Sequence, residues 1–131
     1  MARIMGKRVL VVDDDRVIQQ LLEVNLELEG YEVVGTASDG REALDKIAKL
    51  KPDLVILDIM MPKMDGMAVC RHLKADPETA KIPVILLSAR AQDMDIRDGL
   101  DIGANAYLTK PFDPVELLDV VGRLLKGETV G

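Results

Sequence analysis

Short aliphatic runs alternate with longer segments of helical periodicity, and the alternation repeats five times between Arg8 and Lys126. The runs Arg8–Val12, Glu32–Ala37, Leu54–Leu57, Val84–Leu87 and Ala106–Thr109 predict strands. Three of them are nearly continuous in Val, Ile and Leu, the pattern of central strands covered by helices on both faces. Alternation of this kind predicts an α/β fold built on a parallel sheet.

The intervening segments carry helix signals of different strength. The first, Arg16 to Glu29, has Ile18, Leu21, Leu22 and Leu26 at helical spacing and meets Gly30 where a terminating glycine belongs. The second opens at Asp39, with Glu42 three residues on, and the third runs from Gly66 to Lys74 until Asp76-Pro77 ends it. A fourth, weakly amphipathic helix starts at Asp93. The last opens Asp113-Pro114-Val115-Glu116, which combines an N-cap acid, a first-turn proline and a capping-box glutamate. Leu117, Leu118, Val121, Leu124 and Leu125 then form its apolar stripe. Residues 1–126 read as one domain, and 127–131 as a tail or the start of a linker into a longer chain.

Composition narrows the function classes. With 131 residues, 48% of them apolar, the chain can bury one core. Seventeen Lys and Arg against 23 Asp and Glu give a formal charge of −6, which argues against a surface that binds nucleic acid directly. Cys70 is the single cysteine, so neither a disulfide framework nor a CxxC metal or redox site can form within the chain, and a buried inert thiol is expected. The segment Met1 to Arg8 is too short and polar for a signal peptide, and no apolar run approaches the roughly 20 residues that cross a bilayer. A cytoplasmic protein without membrane contact is the expectation.

In open α/β sheets ligands bind outside the carboxyl ends of the strands, so the first polar residues after each strand carry the candidate chemistry. These are Asp13, Asp14 and Asp15 after strand one, Asp58 after strand three, Ser88 after strand four and Lys110 after strand five. Carboxylates forced together repel one another unless a cation neutralises them, which points to a hard divalent ion, Mg²⁺ being the natural candidate. Such an ion, a lysine and a hydroxyl around a central carboxylate suit phosphoryl transfer, with Asp58 as the nucleophile that becomes an aspartyl phosphate.

Four segments carry a resemblance: Val9-Leu10-Val11-Val12-Asp13-Asp14, Leu57-Asp58-Ile59-Met60-Met61-Pro62-Lys63-Met64-Asp65-Gly66, Leu87-Ser88-Ala89 and Tyr107-Leu108-Thr109-Lys110-Pro111-Phe112. In order, spacing and strand-end context they resemble the receiver domains of two-component response regulators. The resemblance implies a doubly wound (βα)5 three-layer sandwich with a five-stranded parallel sheet in the flavodoxin-like order 2-1-3-4-5. It implies Mg²⁺ held by Asp13, Asp14, Asp58 and the backbone carbonyl of Met60, with Asp14 binding directly and Asp13 through water. Catalysis falls to Asp58, Ser88 and Lys110, and a conformational switch to Ser88 and Tyr107, with a half-buried strand tyrosine as the alternative for Tyr107. The Lys110-Pro111 bond is expected to be cis. A sensor histidine kinase or phosphotransfer protein would supply the phosphoryl group, since His72 is the only histidine and reads as a surface residue. A downstream effector would read the fourth-helix, fifth-strand and fifth-helix face, and a phosphorylation-dependent dimer is a further expected partner. Met60 and Arg90 occupy the positions that tune hydrolysis, and bulky Met60 predicts a phosphoaspartate that persists for minutes or longer. The domain would catalyse its own phosphorylation and dephosphorylation without being a multiple-turnover enzyme.

Several readings compete. Asp15 reads as the cap of the first helix, with a third metal acid as the alternative. Asp65-Gly66 reads as a turn and cap, and Met60, Met61, Met64 and Met67 as packing residues apart from the Met60 carbonyl. A haloacid-dehalogenase-type phosphatase would use Asp13 as nucleophile, because Asp13-Asp14-Asp15-Arg16-Val17 also fits that family's DxDxV pattern. That family needs further metal acids on a strand beyond the lysine and usually a larger body, whereas this chain offers only its last helix after Lys110. A receiver that works without phosphate, or a flavodoxin-like domain holding FMN, is the binding-module alternative; the acidic turn after strand one disfavours the latter.

Overall fold

The structure, a computed structural model, describes residues 6–88 and 103–130. Five strands, β1 (Arg8–Val12), β2 (Glu32–Ala37), β3 (Leu54–Asp58), β4 (Val84–Ser88) and β5 (Ala106–Thr109), form one parallel sheet in the order β2-β1-β3-β4-β5. β3 and β4 each run one residue further than their apolar patterns, so Asp58 and Ser88 are the last residues of their strands.

Parallel strands cannot be joined by tight turns, so helices cross over and cover both faces. Leu10, Val12, Val55, Leu57, Val84 and Leu86 point to one face and pack with Ala43 and Ile47 of α2 (Gly40–Leu50) and Val69, Cys70 and Leu73 of α3 (Gly66–Ala75). The alternate residues Val9, Val11, Leu54, Ile56, Ile85 and Leu87 face α1 (Arg16–Leu28) and the C-terminal helix (Pro114–Leu125) through Leu22, Leu26, Leu117, Val121 and Leu124. The period of two along buried strands thus builds two cores in a three-layer sandwich. The helix expected from Asp93 lies outside the described residues.

Helix starts follow the predicted capping chemistry. Asp15, Asp39, Asp65 and Asp113 each accept a backbone N–H from the first turn of their helix, satisfying donors that have no partner within it. Asp15 is therefore a cap. Glu42 reaches back to the Ser38 N–H at 2.8 Å, one residue before the cap that the capping-box pattern implies. Gly30, at φ 92°, closes α1: its N–H bonds to Glu27 and that of Tyr31 to Leu26. The C-terminal helix closes in the same way, with Gly127 bonding to Leu124 and Glu128 to Arg123, and Val130 beyond it packs against the core.

One stripe differs from the sequence reading. Leu21 was expected in the core, but it is 43% exposed, while Gln19, Leu22 and Leu26 are the buried residues of α1. The apolar side chains of this helix cover an arc wider than the sheet buries, so periodicity leaves open which part of the arc turns inward and the sheet sets it.

Candidate functional site

The parallel register brings the strand ends level. Val12 pairs with Leu57, Asp58 with Leu87 and Ser88 with Thr109, so the residues that end β1, β3, β4 and β5 share one edge. Carboxylate oxygens of Asp13, Asp14 and Asp58 lie within 4.8 Å of one another. Asp13 and Asp58 are buried and Asp14 is exposed. The edge thus has two sunken acids and one facing solvent.

Asp13 is held on both sides of its peptide. Its N–H donates to the Ala37 carbonyl at 3.0 Å, and its carbonyl accepts from Gln19 Nε2 at 2.5 Å. Its Oδ1 accepts the Asp15 N–H at 2.9 Å. Its Oδ2 lies 2.7 Å from Lys110 Nζ, close enough for a hydrogen bond, yet among the described residues this buried oxygen accepts none of adequate angle. The contact is an ion pair, because the charges meet whatever the N–H direction. Lys110 also lies 3.4 Å from Asp58 Oδ2, and the Lys110-Pro111 bond is cis.

Burial, followed by the charge of Asp13, pushes the Asp58 carboxyl up to about 6, only partly offset by Lys110 and by a backbone bond from Met60. Burial works against the Lys110 ammonium, but its pairing with Asp13 and Asp58 outweighs that and holds its pKa above the usual lysine value. Three carboxylates face one ammonium, and one buried oxygen lacks a directed donor. An oxygen-rich, net negative set of this kind fits a hard divalent cation.

The loop from Ile59 to Asp65 folds over the end of β3. Ile59 N–H donates to the Leu87 carbonyl at 3.0 Å and Gly66 N–H to the Ile59 carbonyl at 2.9 Å. A Cβ at Gly66 would run into the Asp58 carbonyl, so the close return of the chain beside the central acid requires glycine. Met60 is 62% exposed on this loop.

The predicted residues Asp13, Asp14, Asp58 and Lys110 come together directly, and Ser88 is buried at the adjoining end of β4. Tyr107 is half-buried, and its hydroxyl is without a hydrogen-bond partner among the described residues. His72 is exposed and Cys70 is a buried free thiol. Asp15 is outside the acid cluster. Arg90 and Ala89 lie outside the described residues. Sequence reasoning passed over Gln19; its signal was a polar residue three and seven places before Leu22 and Leu26, on the stripe that turns inward.

The sequence profile of the response regulator receiver domain matches residues 9–122. The chain belongs to the response regulator receiver family. As a receiver domain it is a phosphorylation-activated module of two-component signalling, a signalling protein rather than a conventional enzyme.

The chain is similar to parts of longer transcriptional regulators and to solved receiver domains. The alkaline phosphatase synthesis transcriptional regulatory protein PhoP of Bacillus subtilis is 46% identical over 93% of this chain and 50% of its own length. The DNA-binding dual master transcriptional regulator RpaA of Synechocystis is 47% identical over 91% of this chain and 49% of its own. The receiver thus spans about half the length of these curated relatives. Among solved structures, a response regulator from Chloroflexus aurantiacus superposes with a TM-score of 0.85 at 39% identity, covering 92% of this chain and 98% of that one. The receiver domain of a sensor histidine kinase from Pseudomonas aeruginosa, with a magnesium ion coordinated in its active site cleft, gives 0.84 at 31% identity over 92% and 98%. Among the described residues no helix is long and apolar enough to cross a membrane.

Proposed function

We propose that this receiver accepts a phosphoryl group on Asp58 from the phosphohistidine of a sensor histidine kinase or phosphotransfer protein. The observation that carries the reading is the convergence of Asp13, Asp14, Asp58 and Lys110 at one sheet edge. Asp13, Asp14, Asp58 and the Met60 carbonyl would hold Mg²⁺. Bound there, the ion supplies positive charge that neutralises the acids and the phosphoryl oxygens.

The protein's own groups account for the rest. An ionised Asp58 oxygen attacks phosphorus in line; the P–O bond forms, the P–N bond to the donor imidazole breaks, and that imidazole leaves. Lys110 keeps its ammonium charged for the oxygens of the transferring group, and the Ser88 hydroxyl, at the end of the adjoining strand, is a donor of suitable reach. Reversal with water as the acceptor would be the domain's own dephosphorylation, slowed by Met60 beside the acid, so that the phosphoaspartate persists for minutes or longer. The new charge biases Ser88 and Tyr107; the Tyr107 hydroxyl, which has no hydrogen-bond partner among the described residues, has a free energy to gain by moving. That bias reaches an effector through the face that includes β5 and the C-terminal helix, with a phosphorylation-dependent dimer as one form of output.

A docking face for the donor adjoins the site. Four large apolar residues on α1, Val17, Leu21, Val24 and Leu28, are exposed and follow one another at intervals of four, three and four residues, beginning just after the acids. That spacing packs against another helix, and its flanks carry Glu23, Glu27 and Glu29, which fits a helical donor with a basic rim.

Intact mass after incubation with acetyl phosphate and Mg²⁺ tests the site. A gain of about 80 Da, the mass of one phosphoryl group on a carboxylate, is expected in the wild type and absent in Asp58→Ala. An adduct that survives in Asp58→Ala and is lost in Asp13→Ala, with turnover of a small phosphate ester, would favour the dehalogenase-type phosphatase instead. Absence of an adduct even with phosphorylated kinases would leave a phosphate-independent receiver.

A further inference from the structure

Among the described residues four polar side chains are buried: Asp13, Asp58, Ser88 and Gln19. The first three belong to the phosphoacceptor edge. Gln19 is not among the clustered groups; its amide reaches the carbonyl of Asp13, just after β1, and that of Ala37, which ends β2.

Gln19 makes three contacts from a single amide nitrogen. Nε2 donates to the Asp13 carbonyl at 2.5 Å, approaches the Ala37 carbonyl at 3.3 Å and bonds the Ser38 hydroxyl at 3.1 Å. The Ala37 carbonyl also accepts the Asp13 N–H. Both peptide groups of Asp13 therefore lead back to the same small cluster, which leaves its side chain little freedom to swing.

The contact to Ser38 extends this hold across the site. Ser38 and Asp39 form the turn into α2, where Asp39 pairs with Lys63 at 3.5 Å and a Cβ at Gly40 would run into the Met64 carbonyl. Lys63 and Met64 belong to the loop that carries Met60, and Lys63 sits at φ 68°, a left-handed conformation that needs outside support. Gln19 thus touches the segment bearing the acids and the turn that braces the opposite wall.

We propose that Gln19 is a positioning residue of the phosphoacceptor site, fixing the main chain of Asp13 and, through Ser38, the turn against which the Met60 loop rests. The proposal rests on the reading of the acidic edge as a Mg²⁺ site. Ion affinity depends on how firmly ligands are pre-set, and loss of a residue that orients a ligand lowers affinity about tenfold to a hundredfold. Gln19→Met keeps length and apolar volume but removes every donor. Gln19→Asn keeps the amide but withdraws it by one methylene from all three acceptors.

Calorimetric titration of the folded protein with Mg²⁺, at a temperature well below unfolding, reads the effect, with urea unfolding in EDTA as a separate measure of stability. Mg²⁺ affinity is expected to fall about tenfold or more in Gln19→Met. The concentration of acetyl phosphate needed for half-maximal labelling of Asp58 at fixed Mg²⁺ should rise in parallel. A residue that served stability alone would shift the urea midpoint and leave the affinity of the folded protein where it was, which would overturn the proposal. Should Gln19→Met not fold, Gln19→Asn decides by the same two outcomes. Wild-type protein that binds no Mg²⁺ would instead overturn the metal-site reading and this inference with it, so the two failures are distinct.

Discussion

Asp58 sits in an environment that opposes its own charge. Burial and the neighbouring Asp13 raise its carboxyl to about 6 although Lys110 is 3.4 Å away. The folded value exceeds the roughly 3.9 of an unperturbed aspartate, so the native state keeps this proton over a range where the unfolded chain has lost it. Its contribution to stability is therefore full below about pH 4, declines as pH rises to about 6, and stays low above that. Asp58→Asn is expected to be more stable than wild type at pH 8 in EDTA by about 3 kcal/mol and equal to it near pH 4. Urea unfolding at the two pH values checks this, and an equal or smaller stability of Asp58→Asn at pH 8 would contradict it. The proposed phosphoacceptor is held at a cost to the fold, as a poised nucleophile would be.

At the scale of the element, α1 has two apolar faces with different tasks. Leu22 and Leu26 are fully buried against β1 and β3, whereas Val17, Leu21, Val24 and Leu28 lie open. Leu22→Ala should therefore cost about 2–5 kcal/mol through lost burial and the cavity left behind. Its neighbour Leu21→Ala should stay within about 0.5 kcal/mol. Chemical unfolding of the pair separates the faces. Val24→Asp tests the open one: transfer from a phosphorylated cognate kinase should slow about tenfold or more, as truncation of a central interface residue does, while labelling by acetyl phosphate stays at the wild-type rate. Equal slowing with both donors would show that the substitution damages the site rather than the docking.

For the whole molecule, the site joins four segments distant in sequence: the turn after β1, the end of β3, the end of β4 and the residues after β5. A cation shared by the first two binds only the folded chain and must stabilise it. At ten times its dissociation constant Mg²⁺ should add about 1.4 kcal/mol, which for a domain of this size raises the melting temperature by about 5 °C. Differential scanning calorimetry with and without Mg²⁺ should show this shift in wild type and not in a variant carrying Asp13→Asn and Asp14→Asn. A shift of the same size in both would place the ion elsewhere.

Local patterns determined much of this protein. The five strands, the capping acids Asp15, Asp39, Asp65 and Asp113, the stop at Gly30 and the four motifs at the strand ends are legible because each depends on neighbours within a few residues. Strand-end position alone selects Asp13, Asp14, Asp15, Asp58, Ser88 and Lys110, since a parallel sheet gathers whatever follows its strands at one edge, and only the fold separates Asp15, a helix cap, from the acid cluster. The rotation of α1 was decided only in three dimensions, because its apolar arc is wider than the sheet can cover and the sheet selects which part is buried; hence Leu21 is open and Gln19 buried. The raised carboxyl of Asp58 and the contacts of Gln19 with Asp13, Ala37 and Ser38 likewise belong to tertiary structure. Desolvation and charge–charge coupling depend on distances between segments that sequence separation does not encode.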